Sequence, residues 1–379
     1  MALLWAFFIL IYSFITTGYI TYRYISVLVY KGYKEPYDTF STLLIPVYNE
    51  NFDSLRATIE SAIKTKGNRE IIVIDDGSTN DCWTIIKKYK EKIKAYRYEE
   101  NKGKRYAQIY GINKSKGNII ITTDSATIMD ENFVTEIIKP FSNPKIAATT
   151  GNVLVSNKNA NLLTKIIDAR YWSAFNFERK AQSVFGIVNC CSGPAAAYRK
   201  EYLLPLLEQY LNQIFLGNKC TYGDDRHLTT LLLKNYDIAY VDTAIVYTEA
   251  PTSLKKFIKQ QIRWKKSWIR ESYLLLKYAF KRSKVLGFNT TIEMILPFIS
   301  LIPRLGVIIL AILINPIFLL FYFGAVLYMA FLRNFYQLAH RGWKAAFYGT
   351  LYGPFHELTT YWLLFIALFT LKDTSWGTR

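Results

Sequence analysis

Apolar residues are crowded into the two ends of this chain and thinned in its middle, and that distribution limits what the chain can fold into. Residues 2–22 carry no charge and are about long enough to cross a bilayer. A cleaved leader is the competing reading, but no basic segment precedes the apolar run and no small-residue cleavage site follows it. Arg23, Lys31 and Lys34 flank its far side, which the excess of cations on cytoplasmic flanks assigns to the cytoplasm. Three more apolar blocks occupy roughly 291–314, 316–332 and 347–371. If the middle of the chain and its last residue, Arg379, both lie in the cytoplasm, the segment between them must cross an even number of times. Three full crossings violate that parity, so one block must be a half-crossing or split. Pro303-Arg304 and Pro354 mark the candidate breaks.

The middle reads differently. From residue 42 to about 241, short β-branched runs alternate with amphipathic windows. Residues 42–47, 70–74 and 118–123 read as strands, and 53–64 and 81–90 as helices. Alternation of this kind predicts an α/β domain with a mainly parallel sheet. Ligands of such sheets bind at the carboxyl ends of strands, where Asp75, Asp76 and Asp124 fall. Residues 254–278 set Leu254, Phe257, Ile258, Gln261, Ile262, Trp268 and Ile269 at helical spacing among lysines and arginines. They predict a basic amphipathic helix, lying on a membrane surface or packed on the soluble domain. The expected organisation is a membrane helix at 1–30, a catalytic domain at 38–250, an interface helix at 251–283, a membrane bundle at 286–371 and a tail at 372–379.

The formal net charge of +18 fits cationic cytoplasmic flanks and attraction to anionic headgroups and substrate, and no nucleic-acid partner is expected. None of the four cysteines has zinc spacing, and the reducing compartment argues against disulfides.

Several short motifs carry chemistry. Tyr48-Asn49-Glu50 and Asp75-Asp76-Gly77-Ser78 end two strands, where a carboxylate can accept hydrogen bonds from a base or ribose and Gly77 lets backbone approach a ligand. Asn101-Lys102-Gly103-Lys104-Arg105 puts cations ahead of a helix at 106–114, a setting that suits a diphosphate. Asp124-Ser125-Ala126 follows a strand, where many nucleotide-sugar enzymes place Asp-x-Asp to hold a divalent metal. Ala126 stands where the second carboxylate would be. Gly223-Asp224-Asp225 opens a helix; its carboxylates read as dipole-favoured caps or as a general base. Gln260-Gln261-Ile262-Arg263-Trp264 offers a cation for a leaving diphosphate and a flat face for a sugar, or else an interfacial anchor.

Taken together, these segments resemble the processive family 2 glycosyltransferases, and most closely their hyaluronan-polymerising branch. Cys191-Ser192-Gly193-Pro194, Gly223 to Thr229, Gln260 to Glu271, Arg333-Asn334 with Tyr336, Tyr352-Gly353-Pro354 with His356, and the closing Trp376-Gly377-Thr378-Arg379 carry the closer likeness. The resemblance implies an integral plasma-membrane enzyme with a cytoplasmic GT-A-type domain that uses UDP-GlcNAc and UDP-GlcA, extends a nascent polysaccharide, works in a lipid bilayer and uses Mn2+ or Mg2+. It further implies that Tyr48, Asp76, Lys104 and Arg105 hold uridine and diphosphate, and that Asp124 contacts the nucleotide or the metal. Asp225 is then the base with Asp224 beside it. Gln260, Arg263 and Trp264 bind diphosphate and acceptor, and Trp376 and Arg379 close over UDP. A synthase using UDP-GlcNAc alone shares the same core motifs, and Ala126 leaves open a membrane homologue without activity.

Overall fold

The structure, a computed structural model, describes residues 2–374. Trp376 and Arg379 lie outside the described residues.

The soluble part is built on an eight-stranded sheet. Strands β1 (Ser41–Val47), β2 (Arg69–Asp75), β3 (Lys94–Arg97) and β4 (Ile119–Thr122) run parallel, with β1 between β2 and β4 and β3 outside β2. The rest of the sheet comes from β5 (Thr127–Met129), β6 (Ile146–Val155) and β7 (Ala196–Arg199). A separate hairpin, β8 (Ile214–Phe215) and β9 (Asn218–Lys219), precedes the last strand, β10 (Asp237–Thr248). Across the sheet the order is β3-β2-β1-β4-β7-β6-β10-β5. β7 is antiparallel to β4 and β6, β5 is antiparallel to β10, and β6 and β10 are parallel.

Every residue of β1 is buried, as a strand covered on both faces requires. The following helix, Phe52–Lys64, starts where the Asn51 side chain accepts from Asp53 N and Ser54 N. It buries Leu55 and Ile59 against the sheet, each contributing roughly 1.5–3 kcal/mol. The next site-bearing helix begins at Lys104, two residues ahead of the expected 106, with Gly103 as its cap. Lys104 and Arg105 therefore belong to its first turn.

The basic amphipathic helix spans Leu254–Arg282 and is packed on the catalytic domain. Its buried face holds Phe257, Ile269 and Leu275 but also Lys266, Arg270 and Glu271. Glu271 explains how charges are tolerated there. Its oxygens meet Arg270 Nε at 2.9 Å, His227 Nδ1 at 3.0 Å and Gln213 Nε2 at 2.6 Å. Burial alone would raise the Glu271 carboxyl, but His227 and then Arg270 outweigh it and bring it down to about 2.

Two stretches, Lys284–Leu313 and Ile317–Arg341, are long and apolar enough to cross a membrane. The third apolar block is not one helix. It comprises Trp343–Phe355, a π-helical turn at His356–Thr360 just after Pro354, and Leu363–Phe369. Leu364 and Ala367 of the last piece pack on Ile269 of the amphipathic helix. The chain then reaches Asp373, whose carboxylate meets Lys266 Nζ at 2.9 Å. The block thus turns back, and its end rests on the catalytic domain.

Candidate active site

Strand ends and helix starts converge on one cavity of about 2220 Å³. β1 delivers Tyr48, β2 delivers Asp76 and β4 delivers Asp124, all at their carboxyl ends, as the parallel sheet requires. The Lys104–Lys114 helix brings Lys104, the Asp224–Leu233 helix brings Asp224 and Asp225, and the amphipathic helix brings Gln260, Arg263 and Trp264. All of these line the same space.

Charge organises its centre. Lys104 Nζ lies 2.7 Å from Asp124 Oδ1 and 3.0 Å from Asp224 Oδ2. Burial works against the ammonium, but Asp124 and Asp224 outweigh it and hold its pKa above that of an ordinary lysine. The paired carboxylates are split. Burial would raise Asp224, yet Lys104 and then Arg105 pull it below the usual range. Asp225 is pushed above that range by burial and by the charge of Asp224. Its Oδ2 accepts from Gly193 N at 3.2 Å and its Oδ1 from Arg226 N at 2.7 Å, which fixes the carboxylate at the cavity wall. One carboxylate is kept anionic and its neighbour is made more basic, the separation that acid–base chemistry uses.

Two glycines make this geometry possible. Gly223 has φ +76°, and a Cβ there would sit 2.2 Å from Ser267 Oγ. The turn before Asp224 therefore presses directly on the amphipathic helix. Gly193 lets its backbone reach Asp225 while passing Asp124; a Cβ would lie 3.1 Å from Asp124 Oδ2.

Three residues expected to meet a ligand also make contacts within the protein. Arg105 lines the cavity but is buried, with Nη1 donating to Tyr210 O at 2.8 Å and Nη2 to Gln213 Oε1 at 2.7 Å. The oxygens of Asp76 accept from Lys102 N at 3.0 Å, Gly103 N at 2.9 Å and Asn101 Nδ2 at 3.2 Å. The carboxylate braces the loop that launches Lys104. A Cβ on Gly77 would fall 2.3 Å from the Glu100 carbonyl carbon. Gly77 thus lets two loops meet closely.

Other contacts carried no sequence signal. Cys190 Sγ is 3.8 Å from Asp225 Oδ2, and burial and Asp225 push its thiol pKa up. Tyr171 packs on Trp264 with ring centroids 6.2 Å apart. Tyr222 OH donates to Asp373 O at 3.1 Å and Thr221 donates to Thr374 O, which anchors the approach to the tail beside Gly223.

A divalent metal does not fit the donors present. Ala126 offers a methyl group, and Asp124 is already paired with Lys104. Nearby Glu50 is engaged by Asn51 N at 2.9 Å and Ser125 Oγ at 2.6 Å. Among the described residues no group of three or more His, Cys, Asp or Glu side chains is placed to hold a metal ion. A dication placed on Asp124 would also face the Lys104 ammonium, whose charge repels it.

The family model described as glycosyl transferase family 2 matches residues 42–206. Hyaluronan synthase of Streptococcus pyogenes is 35% identical over 382 residues, covering 97% of this chain and 90% of that protein. This chain is a hexosyltransferase of glycosyl transferase family 2. An N-acetylglucosaminyltransferase of Azorhizobium caulinodans is 37% identical over 254 residues, 65% of the enzyme and 64% of that relative. Among solved structures, a mannosyltransferase from Pyrobaculum calidifontis in complex with GDP-Man and Mn2+ has a TM-score of 0.69, covering 97% of each chain at 16% identity. That likeness is one of fold, and the fold of the enzyme is GT-A-like, with a mainly parallel sheet. The family segment contains Tyr48, Asp76, Lys104 and Asp124. Asp225 and the Gln260–Trp264 segment lie beyond it, within the longer similarity to the hyaluronan synthases.

Proposed function

We propose that the enzyme polymerises UDP-GlcNAc and UDP-GlcA into hyaluronan by inverting transfer and passes the product through its own membrane helices. The observation that carries this reading is the Lys104–Asp224–Asp225 constellation in a cavity that continues, unbroken, to Arg23 and Glu293 and to Arg304 and Glu357 among the apolar helices. Tyr48 and Asp124 would hold the nucleotide end, with Asp76 keeping the 101–103 loop in place. Asp225 takes the proton of the acceptor hydroxyl, its raised pKa matching that task. The acceptor oxygen bonds to the anomeric carbon as the bond to the UDP oxygen on the opposite face breaks. Lys104 and Arg263 stabilise the departing diphosphate. Trp264, 42% exposed, offers its face to the acceptor sugar. The Gln260 side-chain oxygen, buried without a hydrogen-bond partner among the described residues, would accept from a sugar hydroxyl. Trp376 and Arg379, just beyond the docked Asp373, would close over UDP. Mn2+ or Mg2+, expected from the family resemblance, has no step in this mechanism, because the donors do not fit it.

The same reading puts the amino-terminal helix, Lys284–Leu313 and Ile317–Arg341 across the plasma membrane, the broken third block as a re-entrant element, and the catalytic domain in the cytoplasm. Two full crossings after the catalytic domain satisfy the parity, and the docking of Asp373 on Lys266 supports it. The test is to incubate the purified chain in bilayer nanodiscs with both labelled UDP-sugars. High-mass product digestible by hyaluronidase is expected, and its absence refutes the assignment. The likeness to N-acetylglucosaminyltransferases favours a second reading, polymerisation of UDP-GlcNAc alone. Product made without UDP-GlcA decides for it.

A further inference from the structure

Ala126 stands where the family resemblance puts a second metal-holding carboxylate, and a lysine sits between two nearby carboxylates. Ala126 cannot donate to a metal, Asp124 is the one carboxylate of its turn, and Lys104 Nζ is held 2.7 Å from it and 3.0 Å from Asp224. An ammonium has three N–H donors. Two are directed by these carboxylates, which leaves one for a phosphate oxygen. The setting also controls where that donor points. Lys104 is in the first turn of its helix, where backbone N–H groups and the helix dipole favour an anion. The loop before it is clamped by Asp76 through Lys102 N and Gly103 N. Gly193 leaves room for Asp124 to take this position, since a Cβ there would lie 3.1 Å from Asp124 Oδ2.

We propose that Lys104 takes over the charge neutralisation a divalent cation would otherwise give the nucleotide diphosphate, so that this enzyme binds UDP and transfers sugar without a divalent metal. The inference rests on the proposed UDP-sugar reading of the site. A metal on Asp124 would have to displace the lysine and leave it facing a dication. A diphosphate arriving beside Lys104 displaces nothing and gains a charge-assisted hydrogen bond. Lys104 then stays charged throughout, because Asp124 and Asp224 compensate it before the substrate arrives.

The experiment is calorimetric titration of UDP into the full chain in nanodiscs, in EDTA and in saturating Mn2+, with sugar transfer measured in the same two buffers. Mn2+ immobilisation is followed by electron paramagnetic resonance. UDP affinity is expected to differ by less than about threefold between the buffers, with no Mn2+ immobilised by the wild type. Lys104→Gln should weaken UDP binding about tenfold or more. Ala126→Asp, which restores the missing donor and leaves Lys104 in place, should immobilise Mn2+ in the presence of UDP. It guards against a Lys104 variant that does not fold. Tenfold tighter UDP binding by the wild type in Mn2+, or transfer that appears only with Mn2+, overturns the lysine proposal and leaves the polymerase reading standing. Metal-independent UDP binding with no transfer in either buffer supports Lys104 as the group that replaces the metal in binding, and refutes both metal-free transfer and the polymerase reading. No UDP binding in either buffer overturns both.

Discussion

Replacing Asp225 by Asn tests the proposed mechanism most directly, because it removes a base and little else. The carboxylate accepts from Arg226 N at 2.7 Å through one oxygen and from Gly193 N at 3.2 Å through the other. An amide keeps one of these bonds and turns its NH2 toward the other donor. Losing one hydrogen bond costs about 1 kcal/mol of stability, so the variant should fold. Losing a positioned base costs about 10²- to 10⁴-fold in rate, or roughly 3–5 kcal/mol of barrier. Lys104, which the proposed mechanism sets on the diphosphate, touches Asp124 and Asp224 rather than Asp225, so UDP affinity should stay within about threefold. The pH profile gives a second reading. A base acts when deprotonated, so activity is present above its pKa and lost as pH falls through it. Burial and the charge of Asp224 raise that pKa above the ordinary aspartate value, so the acid limb should lie above that value. Asp224→Asn removes the like charge and should move the limb to lower pH, whatever it does to the maximal rate. The assay is coupled detection of UDP release across pH, with calorimetry for UDP. An Asp225→Asn variant within tenfold of wild-type kcat, or an acid limb that moves upward in Asp224→Asn, refutes the assignment.

Four other outcomes are expected. Glu271→Gln leaves Arg270 and His227 buried beside a neutral amide and should destabilise the enzyme by about 3–5 kcal/mol, read as a lowered midpoint in thermal unfolding. Because the folded Glu271 pKa is depressed to about 2, its stabilisation is present above the unfolded value of 4.5 and is lost as pH falls toward 2, amounting to about 3 kcal/mol. Gly193→Ala places a methyl 3.1 Å from Asp124 Oδ2, and the carboxylate or the loop must give; KM for the UDP-sugar should rise severalfold, measured by steady-state UDP release. Deleting Trp376–Arg379 should cripple turnover while UDP still binds, and normal turnover by the truncated chain would reduce those residues to a tail.

The α/β core was legible because its signal is local. A run such as Leu43-Leu44-Ile45 can be satisfied only between two covered faces, and the strand that contains it is buried throughout. Asp76, Asp124 and Asp225 were legible as one site because parallel topology brings strand ends and helix starts to one edge. What stayed hidden depends on pairings between distant segments. Nothing near Arg105 in sequence reveals that Tyr210 and Gln213 will capture its guanidinium, and nothing near Asp76 reveals that its partners are the N–H groups of a loop. The amphipathic helix offered a related ambiguity. Its lysines and arginines read as belonging to a helix on a membrane surface or packed on the soluble domain; Arg270 is buried with Nε on Glu271, which also holds His227 of another helix, and with Nη2 donating to Tyr222 O. A charge pattern read along one helix does not carry that information.

The broken third apolar block links the two halves of the molecule. In the proposed topology, a straight crossing here would put the end of the described chain on the side of the membrane opposite the catalytic domain. Instead Glu357 of its π-helical turn makes two 2.7 Å contacts with Arg304 of the Lys284–Leu313 stretch, and Tyr322 of the Ile317–Arg341 helix donates to the same carboxylate at 2.8 Å. A few residues on, Leu364 packs on the amphipathic helix, and Asp373 meets Lys266 and Tyr222. Tyr222 directly precedes Gly223, the cap of the helix that carries Asp224 and Asp225. A continuous set of packed and paired groups therefore runs from the membrane half of the cavity to the carboxylates of the proposed transfer site. If the proposed polymer passage holds, movement of this block as a product chain enters the cavity among the apolar helices would bear on the turn that positions Asp225.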